Sequence, residues 1–338
     1  MNTKNIILGH GSGGKLTNNL IKDIFVKHFK NSHFDNLNDS SLVATSATSA
    51  FTTDSFVIDP IFFPGGDIGK LAVSGTVNDL LVSGAIPKYL SAGFIIEEGL
   101  PIDDLEKIAT SMAEEARIAN IEIVTGDTKV VKKGQCDKLF INTAGIGHIS
   151  EKTLHLGKNA VFNPGDKIIV SGYLGDHTAA ILAVRNNITF DEGFISDVAP
   201  LNDLILPLVN SFSQDIKFMR DITRGGLATI LNEICNHTEF GIKISETSLP
   251  IRKQVSGFCE IFGYDPLYLA NEGKIIMVVK NELAEKVISD MKKLPYGEHA
   301  ETVGEITKEN VGKVLLDTAI GGTRIVDMLS GEMLPRIC

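Results

Sequence analysis

Asn163-Pro164-Gly165-Asp166-Lys167-Ile168-Ile169-Val170-Ser171 is the stretch that sets the architecture. Its first four residues read as a turn, with proline presetting one φ and glycine free to take a positive one. The apolar run behind the turn reads as a strand. A glycine turn then leads to a helix over residues 177–185, which is α/β in character. The turn at 163–166 is therefore read as the junction of two domains, the default for a chain of 338 residues, which exceeds the size at which single cores stop growing.

Working outward, residues 4–8 read as a short strand running into the glycine loop Gly9-His10-Gly11-Ser12-Gly13-Gly14-Lys15. A helix is expected over 17–29, where Leu20, Ile21, Ile24, Phe25 and His28 recur at helical spacing. Residues 51–58 alternate as a strand, 68–82 read as a helix after the Gly65-Gly66 turn, and 90–96 as a strand. An amphipathic helix over 103–119 is followed by a strand at 121–124 that ends at Gly126-Asp127, and by another over 138–149. Downstream, helices are expected over 204–212, 225–235 and 282–293, and residues 321–338 read as a short helix and then a tail. The expected units are an N-terminal domain (1–150), a C-terminal α/β domain (151–325) and a tail (326–338).

Composition excludes several classes. A net charge of −10 argues against nucleic acid or an anionic membrane as main partner. No apolar run reaches membrane-spanning length, and no charged-then-apolar signal pattern opens the chain. Cys136, Cys235, Cys259 and Cys338 are scattered without a C-x-x-C pair, which indicates neither a zinc knuckle nor a disulfide framework and fits a reducing cytoplasm.

The glycine loop has the spacing G-x-x-x-x-G-K, but Leu16 stands where a P-loop needs a hydroxyl for magnesium. It reads either as a plain turn or as an amide-rich flap over phosphates at a helix N-terminus. Asp54, Asp67, Asp79 and Asp127 form a second candidate set, each read as lying at a strand end or turn beside Gly, Lys, Asn or Thr. Hard oxygen donors mixed with lysines suit a magnesium–triphosphate site. In Asn271-Glu272-Gly273-Lys274, Glu272 follows an apolar segment; it is either part of a plain turn or a desolvated general base. Arg220-Asp221-Ile222-Thr223-Arg224-Gly225-Gly226 opens a helix with charge and glycine where backbone approaches something closely. His10, His148 and His177 lack metal-ligand spacing, and Cys136, Cys235 and Cys259 read as buried thiols. Cys338 ends the chain, either by accident or as a tethered nucleophile that carries a covalent group.

These motifs resemble the HypE family, the carbamoyl dehydratases of nickel–iron hydrogenase maturation, within the superfamily of aminoimidazole ribonucleotide synthetase. The resemblance rests on the glycine loop, Asp67-Ile68-Gly69-Lys70-Leu71-Ala72-Val73, Val77-Asn78-Asp79-Leu80, Gly126-Asp127-Thr128-Lys129-Val130-Val131, Thr223-Arg224-Gly225-Gly226-Leu227-Ala228-Thr229 and Leu269-Ala270-Asn271-Glu272-Gly273. Above all it rests on the terminal Pro335-Arg336-Ile337-Cys338. It implies a two-domain PurM-like α/β (α+β) fold, a homodimer whose N-terminal sheets form a barrel, a flexible tail, and ATP with magnesium (Mg2+) in the cleft between domains. It implies that the carbamoyltransferase HypF loads Cys338 and that ATP activates the resulting S-carboxamide. Dehydration then gives a thiocyanate, whose cyanide passes to iron on a HypC–HypD complex.

By residue, the resemblance implies Glu272 as base and Lys133 as the group steadying developing charge. Asp54, Asp67, Asp79 and Asp127 would share magnesium and phosphate work. Lys70, Asn78, Lys129 and the Gly11, Ser12, Gly13 and Gly14 loop would contact nucleotide, and ATP is expected to draw the tail inward. The chain departs from the pattern at Ser74 (cysteine is common), Ile222 (proline) and Thr178 (glycine). The competing readings are a small-molecule ATP-dependent synthetase of the same superfamily and a nucleotide-binding adaptor without catalysis.

Overall fold

The computed structural model describes residues 4–12, 15–34, 41, 43–45, 47–158, 160–188, 193–236 and 238–328. In chain order the helices and strands are α1 (Lys15–Leu20, continued by π-helical turns Ile21–Val26), β1 (Ser49–Phe56), β2 (Phe62–Phe63), β3 (Gly66–Asp67), α2 (Ile68–Val82), β4 (Ala85–Glu97), α3 (Ile102–Ile118), β5 (Glu122–Val131) and β6 (Leu139–Ile149). They continue as β7 (Lys167–Val170), α4 (Asp176–Arg185), α5 (Asn202–Phe212), β8 (Ile216–Asp221), α6 (Gly226–Asn236), β9 (Gly241–Ser245), α7 (Lys253–Phe262), β10 (Ile275–Val279), α8 (Ala284–Met291), β11 (Glu301–Thr307), β12 (Val314–Asp317) and β13 (Thr323–Ile325). The upstream strands form a four-stranded sheet in the order β1-β6-β4-β5, and the downstream strands a seven-stranded sheet in the order β13-β12-β9-β11-β7-β10-β8.

Helix α2 is the central post. The Asp67 side chain caps it, its Oδ1 accepting from the backbone N–H groups of Gly69 (2.7 Å) and Lys70 (2.9 Å). Leu71, Ala72, Val73, Val77, Leu80 and Leu81 are all buried, so the helix is apolar around most of its circumference, as a helix inside a large core must be. Gly69 is required by packing: a Cβ there would lie 2.6 Å from the Ile108 carbonyl oxygen of α3. A continuous core runs from α2 to α5 and β10 of the C-terminal domain.

Several expectations are corrected. Residues 4–8 are not a strand: Ile6 exchanges backbone bonds with Leu100 and Gly99, and a 3-10 turn follows at Leu8–Gly11, held by Ile7 N–H donating to His10 Nδ1 at 3.1 Å. The strand expected to end at Gly126-Asp127 runs through that pair to Val131, because the missing Cβ lets Gly126 press against the Ala92 carbonyl of β4. Asp54 likewise lies within β1 and Asp79 within α2, so of the four aspartates only Asp67 sits at an element junction. The segment after Gly321 is β13, not a helix. Gly321 has φ +89°, and Thr318 and Gly322 hydrogen-bond across the turn, making a hairpin with β12. The tail from 329, with Cys338, lies outside the described residues. None of the described helices is long and apolar enough to cross a membrane.

Candidate active site

The seam between the domains gathers carboxylates from four elements. Asp54 comes from β1, Asp79 from the last turns of α2, Asp221 from the end of β8, and Glu272 from the segment before β10. Each element has a local reason for its position. The C-terminal end of α2 carries Asp79 toward β1, where Thr52 Oγ1 donates to Asp79 Oδ2 at 2.9 Å. Asp221 pairs with Ile275 in the β8–β10 ladder, so the chain must pass Glu272 just before that pairing begins. Arg224 Nη2 lies 3.8 Å from Asp54 Oδ1, and Arg220 adds a second positive charge beside Asp79 and Asp221.

Burial dominates the electrostatics. It raises the Asp54 carboxyl, against a hydrogen bond from Ser55 N–H and the Arg224 charge. It raises Asp79, helped by the Asp54 charge and opposed by Thr52 and Arg220. Asp221 is pushed up to about 7 by burial first and then by Asp79 and Asp54. Glu272 is held well above the usual carboxylate range, again by burial first, then by the charges of Asp221, Asp197 and Asp54, with Arg224 opposing. Only 4% of Glu272 is exposed, and its Oε1 has no hydrogen-bond partner among the described residues. A cluster that resists ionisation in this way is prepared for an incoming cation or proton donor.

This has a consequence for stability. In the unfolded chain Asp221 loses its proton near pH 4, whereas in the folded protein it keeps it up to about 7. A raised acid pKa means that the folded state binds the extra proton, so stability is lost as pH rises from about 4 to about 7 and then levels off. The loss is about 2–4 kcal/mol, the coupling to Asp79 sharing it between the two groups. Asp221→Asn is expected to flatten the melting temperature against pH over that window and to be more stable than the parent at pH 8. Parallel profiles for the two proteins would overturn this.

The remaining sequence candidates fall into separate groups. Asp67 caps the far end of α2, twelve residues and so roughly 18 Å along the axis from Asp79, and its electrostatic neighbours are Lys70 and Glu115. Lys70 Nζ lies 3.5 Å from Glu115 Oε1. Asp127 is on β5, the opposite sheet edge from Asp54, three inter-strand spacings or roughly 14 Å away. There it pairs with Lys129 at 3.1 Å. Gly11 packs on the same strand, where a Cβ would lie 2.6 Å from Val130 N, and Ser12 Oγ donates to Gly9 O at 3.0 Å. Lys133 is exposed between β5 and β6. Gly13, Gly14 and Cys338 lie outside the described residues.

The Asn78 side chain is engaged between the domains: Nδ2 donates to Ala199 O (3.0 Å) and Glu272 O (3.4 Å), and Oδ1 accepts from Leu201 N–H (2.9 Å). Of the departures noted in the sequence, Ser74 is buried on α2, Ile222 lies fully buried in the second core, and Thr178 Oγ1 donates to Ala270 O at 2.9 Å. His177 is a core side chain bonded through Nδ1 to Ser196 Oγ at 2.7 Å.

Sequence reasoning did not select Asp221 or Asp197. Asp221 had a signal, its place in the charged run before Gly225-Gly226. Asp197 had none, since it lies in an irregular segment and acts through the backbone of Glu272.

Two packed α/β domains with an acid-lined seam define an AIR synthase related protein. Residues 38–149 match that family's N-terminal domain and residues 163–317 its C-terminal domain. Within that class the resemblance is close and runs nearly end to end. The chain is 46% identical over 334 residues to Carbamoyl dehydratase HypE of Rhizobium leguminosarum bv. viciae, covering 98% of this chain and 95% of that relative. It superposes on a crystal structure of hydrogenase maturation protein HypE in complex with ATP with a TM-score of 0.93, at 47% identity and with 98% and 99% of the two chains covered. It also matches the HypE–HypF complex (TM-score 0.78, 47% identity, 92% and 99% covered). This chain belongs to the HypE family of carbamoyl dehydratases.

Proposed function

We propose that the protein is an ATP-dependent carbamoyl dehydratase acting on its own C-terminus, which converts an S-carboxamide on Cys338 into a thiocyanate and so supplies a cyanide ligand for the iron of nickel–iron hydrogenase. The observation that carries this reading is the Glu272 carboxyl, buried with an oxygen unpartnered among the described residues at the acid seam of a chain in the HypE family. ATP is the co-substrate, as in the HypE–ATP complex.

The amide oxygen of the S-carboxamide takes the γ-phosphoryl group as its bond to the β-phosphate breaks and ADP leaves, which turns a poor leaving group into a good one. One N–H proton is lost as that imidate phosphate forms, and the second as the C–O bond breaks, leaving S–C≡N and inorganic phosphate. Glu272 is the base for these protons, since burial makes it a stronger base than an exposed carboxylate. With ATP and the loaded tail filling the seam, water that would hydrolyse the activated intermediate is excluded.

The donor set fits magnesium. Asp54, Asp79 and Asp221 present oxygen only; burial first, and for Asp79 and Asp221 the neighbouring carboxylates as well, favour their protonated forms, a cost that a bound cation would offset. Among the described residues no three acidic, imidazole or thiol groups form a ready-made metal cage. Magnesium does not need one, because one or two carboxylates with phosphate oxygens hold it. Bound there, it would neutralise phosphate charge as the γ-phosphoryl group moves.

A homodimer accounts for the division of the candidate residues into two edges. The outer sheet face exposes Phe51 (71%), Ile86 and Ile95, an apolar surface suited to a second copy. Closing two four-stranded sheets into a barrel with the β1 edge of one copy beside the β5 edge of the other would bring Asp54 near the partner's Asp127, Lys129 and glycine loop. Asp127, Lys129, Lys133, Gly11, Ser12, Gly13 and Gly14 are then assigned to nucleotide and charge stabilisation across the dimer. Asp67 and Lys70 support α2 from its other end. HypF is the carbamoyl donor, as its complex with a HypE suggests, and HypC–HypD the cyanide acceptor.

Intact-protein mass after incubation with HypF, carbamoyl phosphate, ATP and magnesium tests the proposal. The expected sequence is one carbamoyl adduct, converting by loss of one water to a cyano adduct only when ATP is present. ATP hydrolysis with an unmodified chain would favour the small-molecule synthetase instead.

A further inference from the structure

The peptide carrying Glu272 is held from two directions. Its N–H donates to Asp197 Oδ1 at 3.0 Å, and its carbonyl accepts from Asn78 Nδ2 at 3.4 Å. Asn78 belongs to α2 of the N-terminal domain and is 2% exposed. The same amide also takes Ala199 O and Leu201 N–H, so a single side chain fixes both the Glu272 segment and the loop that presents Asp197. That loop is tied to the N-terminal domain a second time, by Ser196 N–H donating to Pro64 O at 2.8 Å. Behind Glu272, Lys274 Nζ lies 3.2 Å from Asp197 Oδ2, and both side chains are almost completely buried. Gly273 completes the packing, because any Cβ there would collide with the Asp197 carbonyl.

We propose that Asn78 and Asp197 are positioning residues that grip the Glu272 peptide from both domains, so that the base is correctly placed only when the seam between the domains is closed. This rests on the reading of Glu272 as the base. It also assigns Asn78 a role distinct from nucleotide contact, since its amide is already engaged by backbone groups. A base must sit within hydrogen-bond reach of the proton that it takes, and displacements near 1 Å are costly. Asn78 is adjacent in α2 to Asp79, so one helix turn fixes both the acid cluster and the base.

The test uses the full-length carbamoylated protein, with the single-turnover rate of cyano-adduct formation at saturating ATP and the ATP dissociation constant measured separately. Asn78→Asp keeps the size and the acceptor for Leu201 N–H but loses both donors. Asp197→Asn keeps an acceptor for Glu272 N–H, whereas Asp197→Ala does not. Asn78→Asp and Asp197→Ala are expected to slow the saturated rate by roughly 10- to 100-fold while ATP affinity changes by less than about threefold. Asp197→Asn is expected to recover most of the rate lost in Asp197→Ala.

Hydrogen exchange over residues 270–274 is the second measurement, read without activity, and should quicken at least about tenfold in the two damaging variants. Weaker ATP binding with an unchanged saturated rate would make Asn78 a nucleotide contact and overturn the inference, as would unaltered exchange. A Glu272→Gln control that dehydrates at the parental rate would instead remove the general-base reading, whatever the exchange data show.

Discussion

Cys338→Ala is expected to abolish the carbamoyl adduct completely, and with it all cyano-adduct formation, while ATP binding and the melting temperature stay close to parental values. Completeness follows from the other three thiols. Cys136, Cys235 and Cys259 are all buried. Burial pushes them up to about 11, 11 and 12, so almost none is thiolate at neutral pH and none can substitute as acceptor. Cys338 ends a segment that follows β13, where Tyr268 Oη donates to Asp327 O at 2.8 Å and fixes the last described stretch to the C-terminal domain. A substitution eleven residues along the chain from that anchor removes the nucleophile and alters none of the described residues. Intact mass after incubation with HypF and carbamoyl phosphate reads the result. Residual adduct on Cys338→Ala would mean that another side chain accepts the carbamoyl group.

Much of this architecture was legible because local and tertiary demands agree. The Gly65-Gly66 turn before a largely apolar segment announces α2, and Asn163-Pro164-Gly165-Asp166 marks the start of the second sheet, with Gly165 at φ +94° as its turn requires. The failures lie at glycines and aspartates: at Gly126 and Asp127 a turn preference is overridden by sheet packing, and at Gly321 a turn preference outweighs the helix. Gly126 does not end β5, since the closeness of β4 is what calls for a glycine, and Gly321-Gly322 turn a hairpin where a helix was expected.

The site was half legible. Asp54, Asp79 and Glu272 do meet at one seam, but Asp67 and Asp127 stand apart from them, for residue type alone carries no distance. Asp221 joins the cluster through the β8–β10 register, and Asp197 through a backbone N–H. Neither relation leaves a trace in spacing along the chain.

Glu272→Gln is expected to lower the single-turnover rate of dehydration by about 10²–10⁴ at neutral pH, the range for loss of a positioned general base, which is about 3–5 kcal/mol in activation free energy. The substitution is nearly isosteric. The amide can occupy the same buried pocket, and the backbone bonds to Asp197 and Asn78 do not involve the altered atoms. Carbamoylation of Cys338 and ATP affinity should therefore survive, and the variant should accumulate the carbamoyl adduct.

The pH profile gives the sharper discrimination. Burial and the charges of Asp221, Asp197 and Asp54 hold Glu272 protonated well above the usual carboxylate range, and the base works only once that proton has left. The parental rate at saturating ATP should accordingly climb with pH through the raised Glu272 pKa, and Glu272→Gln should lose that limb. A variant that is slow but keeps the parental pH dependence would show that Glu272 shapes the seam while another group takes the proton. A variant with parental rate and parental profile would remove Glu272 from the chemistry, leaving its burial as a packing feature of the domain junction.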